Sequence, residues 1–319
     1  MNIPKIHSIS KKILVALFGS FLMLFLLFHA LANLCLLRSD GGEWYGAFCH
    51  FMGTNVFVKI FEILLMAFFA LHIALSIWLL IGNLKARGTV KYHHKSQTRT
   101  HKASKLQVLT GILMLACIAL HFTDFYFVKQ GITKGFFRVQ TEELMTEEVN
   151  AILSVQQQYG MSAEDYIATN EQQLEVYRDQ IDEEQLQQIN DQLERLRQAI
   201  PAAQLLTEAQ ENDMFSPDRQ WIQRIPDSTA KQVISAGYDA EPDFYHQARE
   251  KFRLPFIAIM YLLFFAIVWL HMRHAFAAAF QTLGLYNYKY GNAIEMLGII
   301  YAWFVCLCFA VVVVFLFFA

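Results

Sequence analysis

Four histidines, His29, His72, His121 and His271, fall one each in four long apolar stretches of this chain. An ionisable side chain in a segment apolar enough for hydrocarbon is costly to keep there, so by default it marks a functional site. Imidazole is the commonest metal ligand among side chains. It is also a standard axial ligand of haem iron, whose potential is tuned by ligand identity and surrounding polarity. A lone histidine of this kind serves equally as a helix–helix hydrogen-bond partner or as part of a proton relay. Whether the four are matched in space therefore decides what they imply.

The elements that must hold them follow from composition. Of 319 residues, 55% are hydrophobic, and 28 phenylalanines run through long apolar stretches, which makes this an integral membrane protein. Five spans are expected, over residues 13–37, 56–80, 106–127, 254–285 and 293–318, with Pro255 suited to the first turn of the fourth. The fold class is thus all-α, a five-helix transmembrane bundle with a helical extracytoplasmic insertion between helices three and four. Its parts are residues 1–128 (helices one to three), 129–251 (the insertion) and 252–319 (helices four and five).

Net charge is only −2, yet 23 of the 28 acidic residues fall between Glu142 and Glu250. The remainder is basic. Lys85, Arg87, Lys91, Lys95, Arg99, Lys102 and Lys105 crowd the loop between spans two and three, and Lys5, Lys11 and Lys12 precede span one. The positive-inside rule puts that loop and the N-terminus in the cytoplasm, and the insertion and C-terminus outside it. The partner this pattern implies is a lipid bilayer, not nucleic acid. Cys35, Cys49, Cys117, Cys306 and Cys308 show neither zinc-like spacing nor the motif for covalent haem attachment.

The insertion reads as a small helical cap. Leu174, Tyr177, Ile181, Leu186, Ile189, Leu193 and Leu196 recur at helical steps, in a helix expected to end at Pro201. A second helix is expected over 142–159, and 213–243 reads as loop-rich, with few residues for an independent core.

Depth sorts the histidines. At ~1.5 Å of rise per residue, His29 lies roughly 24 Å and His121 roughly 22 Å from the cytoplasmic side, in the outer part of a ~30 Å core. Spans two and four run the other way, so His72 and His271 both fall past the midplane on the cytoplasmic side. Two pairs at two levels result: an outer pair, His29/His121, and an inner pair, His72/His271. A flat macrocycle between facing helices takes one imidazole on each side of its iron, so two stacked haems would carry electrons across the membrane. Arg273 and His274 are candidate contacts for haem propionates, or else snorkel to headgroups.

The chain resembles the di-haem cytochrome b membrane anchor of succinate dehydrogenases and fumarate reductases, of the single-subunit, five-helix type. The likeness lies in His29-Ala30-Leu31-Ala32-Asn33, in Gly42-Glu43-Trp44-Tyr45-Gly46-Ala47-Phe48-Cys49-His50-Phe51-Met52, in 62–72, in Leu120-His121-Phe122, and in 271–285 with Phe280-Gln281-Thr282-Leu283-Gly284-Leu285. It implies two haem b groups ligated by His29 and His121 (outer) and His72 and His271 (inner). It implies a flavoprotein subunit and an iron–sulfur subunit on the cytoplasmic side of the inner membrane, which interconvert succinate and fumarate. Electrons would pass through both haems to a quinone, typically menaquinone. Glu43, His50 and Asn33 are the polar groups available for a quinone site near the outer haem. Some members carry a glutamate for proton transfer two residues before the fourth ligand, where this chain has Trp269. The acidic insertion is foreign to the family pattern. The competing readings are an unrelated di-haem membrane cytochrome and a transporter or proton channel with a histidine relay.

Overall fold

A computed structural model describes residues 8–87, 102–287 and 289–319. The basic loop assigned to the cytoplasm lies mostly outside the described residues, as does Lys5. The chain divides into two compact units: one of residues 1–38, 47–122 and 248–319, the other of 39–46 and 123–247.

In the first unit, among the described residues, five helices are long and apolar enough to cross a membrane. They are α1 (Ser8–Asn33), α3 (Val56–Arg87), α4 (Lys102–His121), α12 (Pro255–Thr282) and α13 (Gly291–Phe318), with α2 (Glu43–Thr54) between the first two. α4 continues through a π turn, Phe122–Tyr126, into a single turn, α5 (Phe127–Lys129). Local chemistry sets the ends. The Asn55 side chain accepts the N–H groups of Phe57 (2.9 Å) and Val58 (3.3 Å), capping α3. Pro255 opens α12 as expected. Gly284, at φ 75°, closes it with Leu285 N–H donating to the Phe280 carbonyl and Gly284 N–H to that of Gln281, a Schellman cap.

α12 is the hub of this unit. It packs against α13, α4 and α1, and α1 packs in turn against α3 and α13. Ala30, Val268, Met272, Ala302, Val305 and Phe309 are buried where they meet. Elsewhere Phe57, Ile63, Phe256, Leu263, Met296 and Leu297 stand more than half exposed. So much apolar surface is what a hydrocarbon solvent covers and what water penalises, consistent with a multi-pass membrane protein.

The second unit differs from the helical cap that periodicity suggests. Its strands β1 (Phe136–Gln140), β2 (Trp221–Pro226) and β3 (Glu241–Pro242) form an antiparallel sheet in the order β2-β1-β3. Around it lie α6 (Thr141–Leu144), α7 (Glu147–Tyr159), α8 (Ala163–Tyr177), α9 (Glu183–Glu211) and α10 (Asp227–Ser235), with α11 (Phe244–Phe252) leading out towards α12. The segment expected to be loop-rich thus holds β2, α10 and β3. The unit also has a core of its own: Val139, Leu144, Val149, Ala202, Ala203, Ile222, Ile225 and Val233 are completely buried.

Pro201 does not end its helix; α9 runs through it to Glu211. An interior proline costs about 3 kcal/mol. Beyond it, Leu205 and Leu206 bury on the core, and each such side chain contributes about 1.5–3 kcal/mol. Burial outweighs the proline.

Residues 39–46, between α1 and α3, are built into this unit. Arg138, 2% exposed, donates to the Gly46 carbonyl (2.6 Å) and to the Glu241 carboxylate, and its guanidinium lies 3.9 Å from the centre of the Trp221 ring. A side chain at position 46 would meet that guanidinium, and one at 42 would meet the Tyr245 ring. Glycine is required at both places.

Candidate functional site

α1 and α4 bring His29 and His121 together, their ring centres 6.0 Å apart and their planes at 76°. Metal–imidazole bonds of about 2 Å put the centres of two rings that share one ion roughly 6 Å apart. Phe25 stacks on His29 at 5.4 Å, Phe309 of α13 stands 5.6 Å from it, and Tyr261 of α12 lies 6.3 Å from His121. The pair is thus lined by aromatic rings from three helices. One turn on, Asn33 donates to the His29 carbonyl at 2.7 Å, and its amide nitrogen lies 3.5 Å from His29 Nδ1.

The inner histidines have partners that determine their tautomers. His72 Nδ1 lies 3.2 Å from the Val15 carbonyl. A carbonyl only accepts, so Nδ1 carries the proton and Nε2 keeps its lone pair. His271 Nδ1 lies 3.2 Å from the Thr110 hydroxyl. That hydroxyl has one proton and three acceptors within reach, the carbonyls of Leu106 and Gln107, each at 3.1 Å, and Nδ1 itself. A neutral His271 whose Nε2 accepts from the Gln107 amide carries its proton on Nδ1, so Thr110 accepts it. The Gln107 amide donates to His271 Nε2 at 3.2 Å, while its own oxygen is buried with no partner. In both imidazoles Nδ1 is held by a neighbouring helix, as it is behind a metal-ligating histidine, but His271 Nε2 already accepts from Gln107, and a metal at that atom would have to displace the amide.

The two helix pairs repeat one design. Gly19 stands ten residues before His29, and a Cβ there would come 3.1 Å from His72 Cε1. Gly111 stands ten residues before His121, and a Cβ there would come 3.4 Å from His271 Cε1. Ten residues are about 15 Å of helix, the separation of the two levels. α3 lies along α1 and α4 along α12, whereas α3 makes at most sparse contact with α4 and α12 among the described residues. All four histidines keep accessible surface.

Glu43 belongs to the second unit, where its carboxylate accepts the N–H of Asp218 at 2.9 Å. His50 lies half-buried on α2, its carbonyl accepting from Thr54 at 2.8 Å. Arg273 folds over Trp269, 5.3 Å from the ring centre, and Trp269 packs at 5.1 Å on Trp303 with its indole N–H buried and unpartnered. His274 is close enough to His271 to interact with it electrostatically. No group of three or more histidine, cysteine or acidic side chains suited to a metal ion gathers among the described residues; an axial pair for a macrocycle needs only two. Two open cavities in the second unit, of ≈ 240 and ≈ 780 Å³, are lined by neither histidine nor cysteine.

What sequence reasoning missed here are the partners of the histidines: Val15, Thr110, Gln107, Gly19 and Gly111. The repeated ten-residue step from glycine to histidine was the available signal. No family model, curated protein or solved structure matches this chain.

Proposed function

We propose that this chain is the haem b-containing membrane anchor of a succinate:quinone oxidoreductase, a succinate dehydrogenase or fumarate reductase. In that role it passes electrons between an iron–sulfur subunit and a quinone, with menaquinone the favoured type. What supports the proposal is the approach of His29 to His121, ring centres 6.0 Å apart, on two of the apolar helices, with His72 and His271 one each on two others. Haem bound at each level supplies a one-electron carrier. The chain's own residues do the rest. The Val15 carbonyl and Thr110 hold the inner imidazoles at Nδ1, with the Gln107 amide giving way at His271 Nε2, and Phe25, Phe309 and Tyr261 line the outer pair.

In this reading the flavoprotein and iron–sulfur subunits dock on the cytoplasmic face, and the insertion and C-terminus lie on the other side of the inner membrane. Arg273 and His274 are the candidates for contacts to the propionates of the inner haem. Asn33, beside His29, and His50 are the polar groups left for a quinone near the outer haem, because the Glu43 carboxylate is engaged by Asp218. Trp269, with no carboxylate, offers no proton path at its position.

A reduced-minus-oxidised spectrum of the purified full-length chain tests this. Two b-type haems per chain are expected, and His271→Ala should remove one and leave the other. Absence of a b-type band overturns the proposal in favour of a histidine proton relay. One haem per chain in the unaltered protein overturns the two-level arrangement.

A further inference from the structure

We propose that Thr110 is a positioning residue that sets the electron density of one haem iron through His271; this deepens the functional reading above and rests on it. Three observations carry it. Thr110 is buried, 4% exposed, on the face of α4 that meets α12. Its single proton has the carbonyls of Leu106 and Gln107 in its own helix as acceptors, 3.1 Å away. With Nε2 of a neutral His271 on a metal, the ring proton is on Nδ1, and the Thr110 oxygen, 3.2 Å away, accepts it.

An acceptor at Nδ1–H does two things to an imidazole. It fixes the tautomer, leaving Nε2 unprotonated, and it raises the basicity of Nε2 by drawing the proton away. A more basic axial ligand favours the ferric ion over the ferrous, so the hydroxyl holds the potential of this haem down. His72 has its acceptor in a main-chain carbonyl, which no substitution removes. Thr110 is therefore the point at which a single side-chain change reaches the electronics of the inner pair.

The test is an anaerobic redox titration of the purified, haem-loaded, full-length protein, with low-temperature electron paramagnetic resonance of its ferric form. The haem of interest is identified as the one that His271→Ala removes. Thr110→Val keeps the shape and takes away the acceptor; Thr110→Ser keeps the acceptor. With Thr110→Val, that haem alone should rise in midpoint potential, by about 60 mV for each tenfold loss of preference for the ferric state, and its low-spin ferric signal should shift. With Thr110→Ser both should stay at the parent values. Loss of that one haem in Thr110→Val, with retention in Thr110→Ser, supports the same role. Two haems with unmoved potentials in Thr110→Val overturn it, as do equal effects of Val and Ser or equal shifts in both haems. A parent protein without haem overturns the functional reading itself, a different result from an unmoved potential.

Discussion

The imidazole of His29 faces that of His121 across α1 and α4 with ring centres 6.0 Å apart, at the same level of the bundle and between the aromatic rings of Phe25, Phe309 and Tyr261. Replacing either member by alanine leaves the other with an open coordination position and removes half of the ligand set. His29→Ala and His121→Ala are therefore each expected to remove the same single haem while the His72/His271 haem remains. Haem-to-protein ratio and difference spectra of the two variants check this. Loss of different haems by the two would separate the residues and break the pair.

The inner level depends on two positions without side chains. A methyl at Gly19 would sit 3.1 Å from His72 Cε1, closer than nearly all real contacts, and His72 is already held to Val15. A methyl at Gly111 would come 3.4 Å from His271, so a branched side chain is needed there to push the ring. Gly19→Val and Gly111→Val are expected to displace the inner histidines and cost that haem while sparing the other. At Gly82, in α3, an added Cβ meets nothing within 4 Å, so Gly82→Ala should be silent. Haem content of the three variants decides, and retention of two haems in Gly19→Val contradicts the close approach.

The long apolar helices were legible because they rest on length: long apolar runs have one stable form in hydrocarbon. Pro255 marked the start of α12 by backbone chemistry alone. Legibility stopped where tertiary burial decides. Pro201 looks like a stop, yet Leu205 and Leu206 bury beyond it. Phe136–Gln140 and Trp221–Pro226 are strands because they pair with each other, though they are far apart in the chain. Glu43 looked like an interfacial acid on a loop, whereas it opens α2 and takes the N–H of Asp218. Thr110 and Gln107 are ordinary near the start of a span until α12 sets His271 against them.

The insertion should depend on Arg138 independently of the histidine pairs. Its guanidinium is buried among Gly46, Glu241 and Trp221, and removing one partner of a buried ion pair costs about 3–5 kcal/mol. The Glu241 side chain keeps 27% exposure, which moves the expectation for Arg138→Met to the lower end, about 3 kcal/mol. Faster proteolysis of 123–247 with two haems retained is the expected result. Gly46→Ala should act in the same direction, because its methyl would meet Arg138 Cζ at 2.9 Å. Loss of haem in Arg138→Met would tie the sheet to the ligand set instead.

Acid should loosen the insertion through Asp243. Burial alone would raise the pKa of this carboxyl. The His246 imidazole, 2.7 Å away, opposes that by hydrogen bond and charge, and the N–H groups of Arg224 and His246 add to it, so the value is held below the ordinary 3.8. A carboxyl whose folded pKa is depressed contributes stability that is present above its unfolded pKa and lost as pH falls through the folded one. The contribution of Asp243 is thus complete at neutral pH and fades below 3.8. Asp243→Asn keeps the shape but accepts fewer of the N–H donors from Arg224 and His246. It should be less stable than the parent at pH 7, by about 1.5–3 kcal/mol, and the difference should shrink as pH drops below 3.8. Hydrogen exchange of the amides in β2 and α11, followed in parent and variant from pH 7 down to the acid limit of folding, measures that difference. A gap that stays constant across the acid range would show that Asp243 acts by packing, with no part for its charge.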